Sequence, residues 1–369
     1  MNESELKSLI SSIEPASRSA MELAAARQSE LAKPPGSLGR LEELSIRIAG
    51  MTGKVHNEFE RRRVVVFVAD NGVVDEGVAV TPKDVTLKQA VNMTRHITGM
   101  SALAKFFGDE TRIIDVGIDS DEEYEGIINR KIARGTGNIR SGAAMTREEA
   151  VAAIGVGVGA ASRAKTDGVQ TLGIGEMGIG NTTTSAAVLA AMIGADPANV
   201  TGRGSGLTDA AFYRKVNVIR DALNWNMPDP RDPLDIISKV GGLDIAAMTG
   251  AFLGCAYEHL PAVADGFIST VAALAAVRLC PAARDYIILS HASRELGYVL
   301  ASRALDLAPY LALDMRLGEG SGCPLTFQLM RAACAVMNDM ATFDEARIDD
   351  KYLDEIRKQS DPGSKFGGI

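Results

Sequence analysis

Short runs of apolar residues alternate along this chain with longer stretches in which apolar residues recur at helical spacing. Five short runs predict strands, because β-branched and other apolar residues follow one another in them almost without interruption. They are Val64–Ala69, Thr111–Gly117, Val169–Ile174, Gly266–Ser269 and Tyr286–Ser290. Runs of this kind are typical of strands that are buried on both faces, as in a parallel sheet.

Alanine-rich helical patterns separate these runs. The predicted helices are 88–107, 146–166, 182–193, 209–224, 245–257, 270–279 and 324–342. Strands that alternate with helices indicate βαβ units, so we expect an α/β fold with a parallel sheet flanked by helices. One or two further helices are predicted within residues 1–30, one at 38–51 and one at 343–358. Ligands of such sheets bind at the carboxyl ends of the strands, where glycine and polar residues cluster here.

Composition narrows the class of protein. A chain of 369 residues with 46% hydrophobic residues is long enough for a large core and about two domains. The net charge of −8 disfavours nucleic acid as a partner, because duplex binding needs a basic surface. No signal peptide and no apolar run of about 20 residues is present, so we expect a cytoplasmic protein without a membrane span. The Arg61–Arg63 run is interpreted as a solvated approach to the first strand.

The glycine-rich segment 173–184 lies between a predicted strand and a predicted helix. Free N–H groups at a helix start bind anions, and glycines allow a ligand to come close, so we expect a phosphate or ribose there. The segment also contains G-x-G-x-x-G, which raises the alternative of an NAD-dependent oxidoreductase. That motif needs an acidic residue about 20 positions later at a strand end, whereas Asp196 lies in a Gly-Ala-Asp-Pro turn. Glu176 would also place a carboxylate where the pyrophosphate binds.

Two other glycine loops carry candidate chemistry. Lys215 follows the loop 201–209, and it is either a cation for phosphate or a solvated surface lysine. Glu319 lies in the loop 317–322, where it is either a general base or an exposed carboxylate. His291 follows a predicted strand and is either structural or catalytic. No H-E-x-x-H, paired Cys/His set, G-x-S-x-G or Walker A loop occurs, so no metal site and no serine nucleophile are predicted.

Five segments, in this order, resemble the nicotinate-nucleotide–dimethylbenzimidazole phosphoribosyltransferase family of cobalamin synthesis. They are KPPGSLGRL at 33–41, ADNGVV at 69–74, GIGEMGIGNTT at 173–183, TGRG at 201–204 and LGEGSG at 317–322. The resemblance extends from about residue 30 to about residue 340. It implies a Rossmann-like sheet in a large catalytic domain at 51–342, a small helical domain built from 1–50 and 343–369, and a homodimer.

The resemblance also implies substrates and site residues. The substrates are nicotinate mononucleotide and an aromatic base, and no cofactor or metal is implied. Glu319 matches the family's catalytic base, and Glu176 matches its second active-site carboxylate. The residues implied to bind substrate are Gly175, Met177, Gly178, Gly180, Asn181, Thr182, Lys215, Asp265, Ser293, Leu317 and Gly320. Among them, Met177 and Leu317 would form the wall of the aromatic base site.

The segment that contacts the aromatic base is the part of the site that the resemblance defines least. Ala79 stands where members specific for dimethylbenzimidazole often carry serine, and the family's glutamine aligns with either Lys88 or Gln89. Other benzimidazoles, purines and phenols therefore stay open as the base. A non-catalytic subunit of the same fold is a further alternative, against which the presence of both Glu176 and Glu319 argues.

Overall fold

The computed structural model describes residues 1–204 and 206–353, and a six-stranded parallel sheet lies at its centre. The strands are β1 (Arg62–Ala69), β2 (Glu110–Gly117), β3 (Ile127–Asn129), β4 (Thr171–Met177), β5 (Ala262–Ala264) and β6 (Ile287–Leu289). Their order is β3-β2-β1-β4-β5-β6, and every neighbouring pair is parallel. The predicted α/β class with a parallel sheet is confirmed.

Helices cover the sheet. Those in the described residues are α1 (Glu3–Ser11), α2 (Arg18–Glu30), α3 (Arg40–Thr52), α4 (Val85–Thr94), α5 (Gly99–Phe107), α6 (Arg147–Thr166), α7 (Asn181–Ile193), α8 (Pro197–Val200), α9 (Asp209–Asn226), α10 (Pro233–Val240), α11 (Leu243–Tyr257), α12 (Phe267–Leu279), α13 (Leu296–Leu305), α14 (Cys323–Asp339) and α15 (Phe343–Ala346). Helices α11, α12 and α14 pack against the strands, and β1 is buried along its whole length. Among the described residues, no helix is both long and apolar enough to cross a membrane.

The strand predicted at 266–269 is wrong. Gly266 is the N-cap of α12, and the neighbouring strand β5 lies upstream at Ala262–Ala264. The first ten residues of α12 are all buried, so this helix is covered on every side. A short apolar run does not distinguish such a helix from a buried strand.

The single helix predicted at 88–107 is two helices. Helix α4 ends at Thr94, His96 has a φ of 58°, and α5 begins at Gly99. Thr98 caps α5, because its hydroxyl accepts the N–H of Ser101 while the Ser101 hydroxyl accepts that of Thr98. The break places the N-terminus of α5 beside the site described below.

The interpretation of Arg61–Arg63 as solvated is wrong for two of the three residues. Arg62 and Arg63 are buried in the central strand. Arg62 Nε donates to Asp109 Oδ1 at 2.6 Å, and Arg63 reaches Glu110 at 2.6 Å and Asp167 at 2.9 Å. Carboxylates at the start of β2 and the end of α6 thus compensate both guanidinium groups.

The two ends of the described chain meet on one side of the molecule. Ala24, Ile46, Ala49 and Met337 form a small apolar cluster apart from the main core, and Leu31 pairs with Thr342 through a backbone bridge. Of the helix predicted at 343–358, the structure describes residues 343–353, in which α15 ends at Ala346 and its C-cap Arg347 has a φ of 56°. Residues 354–369 lie outside the described residues, so the two-domain division stays a prediction.

Candidate active site

The strand order changes direction between β1 and β4. The strands β2 and β3 lie on one side of this pair, and β5 and β6 lie on the other. A crevice forms at such a switch point, beyond the carboxyl ends of the two central strands. Asp70 and Asn71 follow β1, Gly178 follows β4, and all three are buried there.

The loop that carries Glu319 packs directly on strand β4. A Cβ atom on Gly175 would lie 2.6 Å from the backbone nitrogen of Gly320 and 2.7 Å from the carbonyl oxygen of Glu319. Only a residue without a side chain permits this approach. Gly318, Glu319 and Gly320 have φ values of 86°, 64° and 85°, so three consecutive residues adopt the left-handed conformation. For the glutamate this conformation is unusual and marks a constrained loop.

The Glu319 carboxylate is buried and held from two directions. Its Oε1 accepts a hydrogen bond from Gln89 Nε2 at 2.7 Å, and its Oε2 accepts the backbone N–H of Met100 at 3.3 Å. Met100 lies in the first turn of α5, where the helix dipole favours negative charge. The alternative of an exposed loop carboxylate is therefore wrong, since the residue is only 5% exposed.

Glu176 lies near the carboxyl end of β4, and its side chain is buried. Its Oε1 lies 3.4 Å from the backbone nitrogen of Glu319, and its Oε2 accepts a hydrogen bond from Asn181 Nδ2. Burial raises the pKa of Glu176 to about 8, and the nearby charges of Asp244 and Asp265 act in the same direction. Burial therefore favours the protonated, uncharged form of this carboxyl group.

Asp265, which follows β5, binds the other half of the same loop. Its carboxylate accepts the backbone N–H of Gly320 at 3.1 Å and that of Gly322 at 2.7 Å. Burial raises the pKa of Asp265, while His291 and the backbone donors oppose this effect. His291 is fully buried, with Nδ1 bonded to Ser290 Oγ at 2.9 Å and Nε2 without a hydrogen-bond partner among the described residues.

Lys215 lies beside the start of α7. Its side chain is buried, and Nζ donates to Thr182 Oγ1 at 2.8 Å. Burial lowers the pKa of Lys215 from 10.5 to about 8, and Glu295 partly offsets this. The alternative of a solvated surface lysine is wrong. A buried ammonium next to a helix N-terminus is suited to bind an anion.

Comparison with known proteins assigns the chain to a family. A family model described as "Phosphoribosyltransferase" matches residues 13–348. The chain belongs to this phosphoribosyltransferase family.

In the described residues, no group of three or more His, Cys, Asp and Glu side chains is arranged to hold a metal ion.

Relatives in the family have nearly the same length. A nicotinate-nucleotide–dimethylbenzimidazole phosphoribosyltransferase of Clostridium perfringens is 50% identical over 90% of this chain and 92% of its own. The protein of that name from Ruminiclostridium cellulolyticum is 46% identical over 92% of this chain and 97% of its own. The crystal structure of the protein of that name from Thermus thermophilus superposes with a TM-score of 0.85, at 38% identity, over 90% of this chain and 99% of its own.

The candidate site brings together most of the residues named from the sequence. Hydrogen bonds link Asn181 to Glu176, Glu176 to the backbone of Glu319, and Asp265 to the backbone of Gly320. Thr182 and Lys215 form a second group at the start of α7, linked to the first through Asn181. Gly180 caps this helix with a φ of 92°.

Three further residues lie around these groups. Ser293 is buried, and its Oγ would lie 3.6 Å from a Cβ atom on Gly266. Met177 is partly buried against the core, and Leu317 is 56% exposed and packs beside Gly99. Their roles toward substrate stay predictions.

Sequence reasoning missed Asp244 near the catalytic candidates, and it left open whether Lys88 or Gln89 faces the site. Asp244, at the start of α11, accepts a hydrogen bond from Asn181 Nδ2 at 3.0 Å. Gln89 binds Glu319, whereas the neighbouring Lys88 is exposed and pairs with Asp84. The structure therefore selects Gln89 as the residue that faces the site. No local motif marks Asp244, which only the packing of α11 against β4 brings close.

Proposed function

We propose that this chain transfers the 5-phosphoribosyl group of nicotinate mononucleotide to 5,6-dimethylbenzimidazole or a related base. The products are α-ribazole 5′-phosphate and nicotinate, and the reaction belongs to cobalamin biosynthesis. One observation carries the proposal: the Glu176 carboxylate and the backbone nitrogen of Glu319 lie 3.4 Å apart at the switch point of the sheet. The names of the relatives state the same chemistry for those proteins.

The donor needs no acid to release its base. In nicotinate mononucleotide the nitrogen that leaves is a pyridinium nitrogen, and it becomes uncharged when it takes the electron pair of the breaking C1′–N bond. The sugar gains positive charge as this bond lengthens. A carboxylate at Glu176, next to C1′, would stabilise that charge in a site that excludes water.

The acceptor must lose a proton. One nitrogen of the benzimidazole forms the new bond to C1′, and the proton on the other nitrogen passes to Glu319. This general-base step typically contributes about 10²–10⁴-fold in rate. A single in-line displacement explains how a β-configured donor gives an α-configured product. Binding both substrates in the aligned geometry supplies much of the remaining acceleration.

The rest of the site fits the nucleotide and the base. Gly178 to Thr182, with Lys215 and Ser293, would cradle the ribose and the 5′-phosphate, whose charge keeps the buried ammonium protonated. Met177 and Leu317 would contact the flat faces of the aromatic base. Gln89 lies at the Glu319 end of this space, so its amide is placed to read a polar edge of the base.

We also propose that the protein is a cytoplasmic homodimer. The support is its membership of the family and its likeness, over nearly the whole length, to the relatives named above. Sedimentation equilibrium of the purified chain tests the oligomeric state directly, and a monomeric mass would contradict the dimer.

A product assay tests the activity. The purified protein is given nicotinate mononucleotide together with one of several benzimidazoles, adenine or a phenol, and ribosylated products are identified by mass. We expect α-ribazole 5′-phosphate or its analogue, with equimolar nicotinate. Nicotinate riboside, which lacks the phosphate, is the matched control donor and should react poorly. Absence of any ribosylated base with the whole panel would overturn the proposal.

A further inference from the structure

Asp244 has no part in the reaction outlined above, yet hydrogen bonds through Asn181 connect it to Glu176, one of the two carboxylates in that reaction. It is fully buried at the start of α11. Its Oδ2 lies 3.0 Å from Asn181 Nδ2, and the same nitrogen donates to Glu176 Oε2. The amide of Asn181 therefore bridges two carboxylates that belong to different elements.

Close packing fixes this arrangement. Asp244 Oδ1 accepts the backbone N–H of Ile245 at 2.9 Å, so both oxygens of the carboxylate are engaged. A Cβ atom on Gly178 would lie 3.2 Å from Asp244 Oδ2 and 3.1 Å from Asn71 Nδ2. The junction of β4, α7 and α11 is therefore closely packed around the Asp244 carboxylate.

The charges around the bridge are predominantly negative. Asp70, after β1, acts on Asp244, and Asp265, after β5, acts on Glu176. Burial raises the pKa of Asp244 to about 6, and that of Glu176 to about 8. Within residues 1–204 and 206–353, no lysine or arginine side chain bonds to either carboxylate. Among the described residues, the side-chain amide of Asn181 is thus the side-chain donor that the two carboxyl groups share.

We propose that Asp244 is a positioning residue for the transfer reaction: through Asn181 it holds the Glu176 carboxylate at the end of β4 and controls when that group becomes negatively charged. The inference rests on the function proposed above, in which an ionised Glu176 stabilises positive charge on the ribose. A cationic donor beside the pair would favour the ionised form of Glu176, because an opposite charge lowers the pKa of a carboxyl group. Asp244 therefore makes ionisation of Glu176 depend on occupancy of the site.

A titration of the free protein tests this without substrate. The infrared band of protonated carboxyl groups is followed against pH, and the contribution of Glu176 is assigned from the difference with Glu176→Gln. Asp244→Asn removes a like charge, so the Glu176 transition should move to lower pH by about one unit. Asn181→Ala removes the shared donor and leaves the repulsion, so the transition should move to higher pH.

Asp115→Asn is the matched control. Asp115 is also a buried aspartate near a strand end, but its carboxylate accepts the N–H groups of Gly117 and Ile118 in a different part of the sheet. It should leave the Glu176 transition in place. General loosening of the structure would move the transition in the same direction in both test variants. An unchanged transition in either folded test variant, or shifts of the same sign in both, overturns the proposal.

Measurements of turnover distinguish a failure of this inference from a failure of the proposed function. In the product assay, the acidic limb of kcat/KM should move to lower pH in Asp244→Asn and to higher pH in Asn181→Ala. If the wild-type protein forms no ribosylated base while the infrared transitions shift as expected, the function is wrong and the charge coupling stands. If product forms and the transitions do not shift, the role of Asp244 is wrong and the function stands.

Discussion

Replacing Glu319 by glutamine tests the general base most directly. The carboxylate has two donors, Gln89 Nε2 at 2.7 Å and the N–H of Met100 at 3.3 Å. A glutamine keeps one acceptor oxygen, so it retains one of these bonds and places an NH₂ group against the other donor. An unmet buried donor costs about 1–3 kcal/mol, which lowers the stability of the loop but leaves the large core of the protein intact.

The effect on catalysis is larger. Loss of a general base removes about 10²–10⁴-fold in rate, which corresponds to about 3–5 kcal/mol of transition-state stabilisation. We therefore expect Glu319→Gln to lose nearly all turnover of benzimidazole, while nicotinate mononucleotide still binds, because its phosphate and ribose are held elsewhere. Steady-state rates and calorimetric binding of the nucleotide measure these two effects separately.

The acidity of the acceptor distinguishes a lost base from a displaced loop. Acceptors with a more acidic N–H need less help to lose the proton, so the variant should recover activity along a series of increasingly acidic benzimidazoles. The wild type should depend only weakly on acidity along the same series. A Glu319→Gln protein close to wild-type activity at neutral pH would refute the general-base role. An equal loss for every acceptor would show that the residue acts through geometry instead.

Three further variants probe other parts of the molecule. Lys215→Met should raise KM for the nucleotide, yet it should stabilise the empty protein by up to about 3 kcal/mol at neutral pH, because burial lowers the folded pKa from 10.5 to about 8. The unfolded lysine binds its proton more tightly, so this stability difference should fade as pH rises from 8 towards 10.5 in thermal unfolding scans. Asp109→Ala leaves the Arg62 guanidinium buried without its carboxylate and should cost about 3–5 kcal/mol in denaturant unfolding; a cost below about 1 kcal/mol would contradict the burial argument. Gly175→Ala should lower kcat at least about tenfold, because its Cβ meets the backbone of the catalytic loop, whereas Gly159→Ala, whose Cβ meets nothing within 4 Å, should keep full activity.

The sequence predicts the long strands of the sheet better than the short ones. Val64–Ala69 is recognisable because a strand between two neighbours is apolar on both faces, and the structure places it in the centre. The strands β3, β5 and β6 have three residues each, too few for a periodic pattern, and of these only β6, which lies in a longer apolar run, is predicted. Arg62 and Arg63 were misjudged because their carboxylate partners are distant in sequence, and only folding shows that a charge is paired.

The same limit applies to the candidate site: residues in local motifs are predictable from the sequence, whereas contacts between distant residues are not. Glu176 and Glu319 were identified because each lies in a glycine-rich motif, and such motifs are local in sequence. The burial of Lys215 was not predictable, since its partner Thr182 lies on another helix and helical spacing does not reveal which neighbour covers a face. Asp244 was missed for the same reason: it touches Asn181 only because α11 crosses β4.

Electrostatics connects the buried carboxylates to the choice of donor. Glu176, Asp244 and Asp265 all have raised pKa values, and for each of them burial is the largest cause. A site of this kind is unfavourable for an anionic ring but favourable for a ribosyl pyridinium, whose positive charge migrates from the ring nitrogen to the sugar during the reaction. In the proposed reaction, the positive charge of the donor would favour the ionised carboxylates, these would stabilise the transition state, and the positive charge disappears once nicotinate forms. On this proposal, loss of the cation would leave the buried carboxylates without a positive partner, and this would favour the release of the anionic nicotinate.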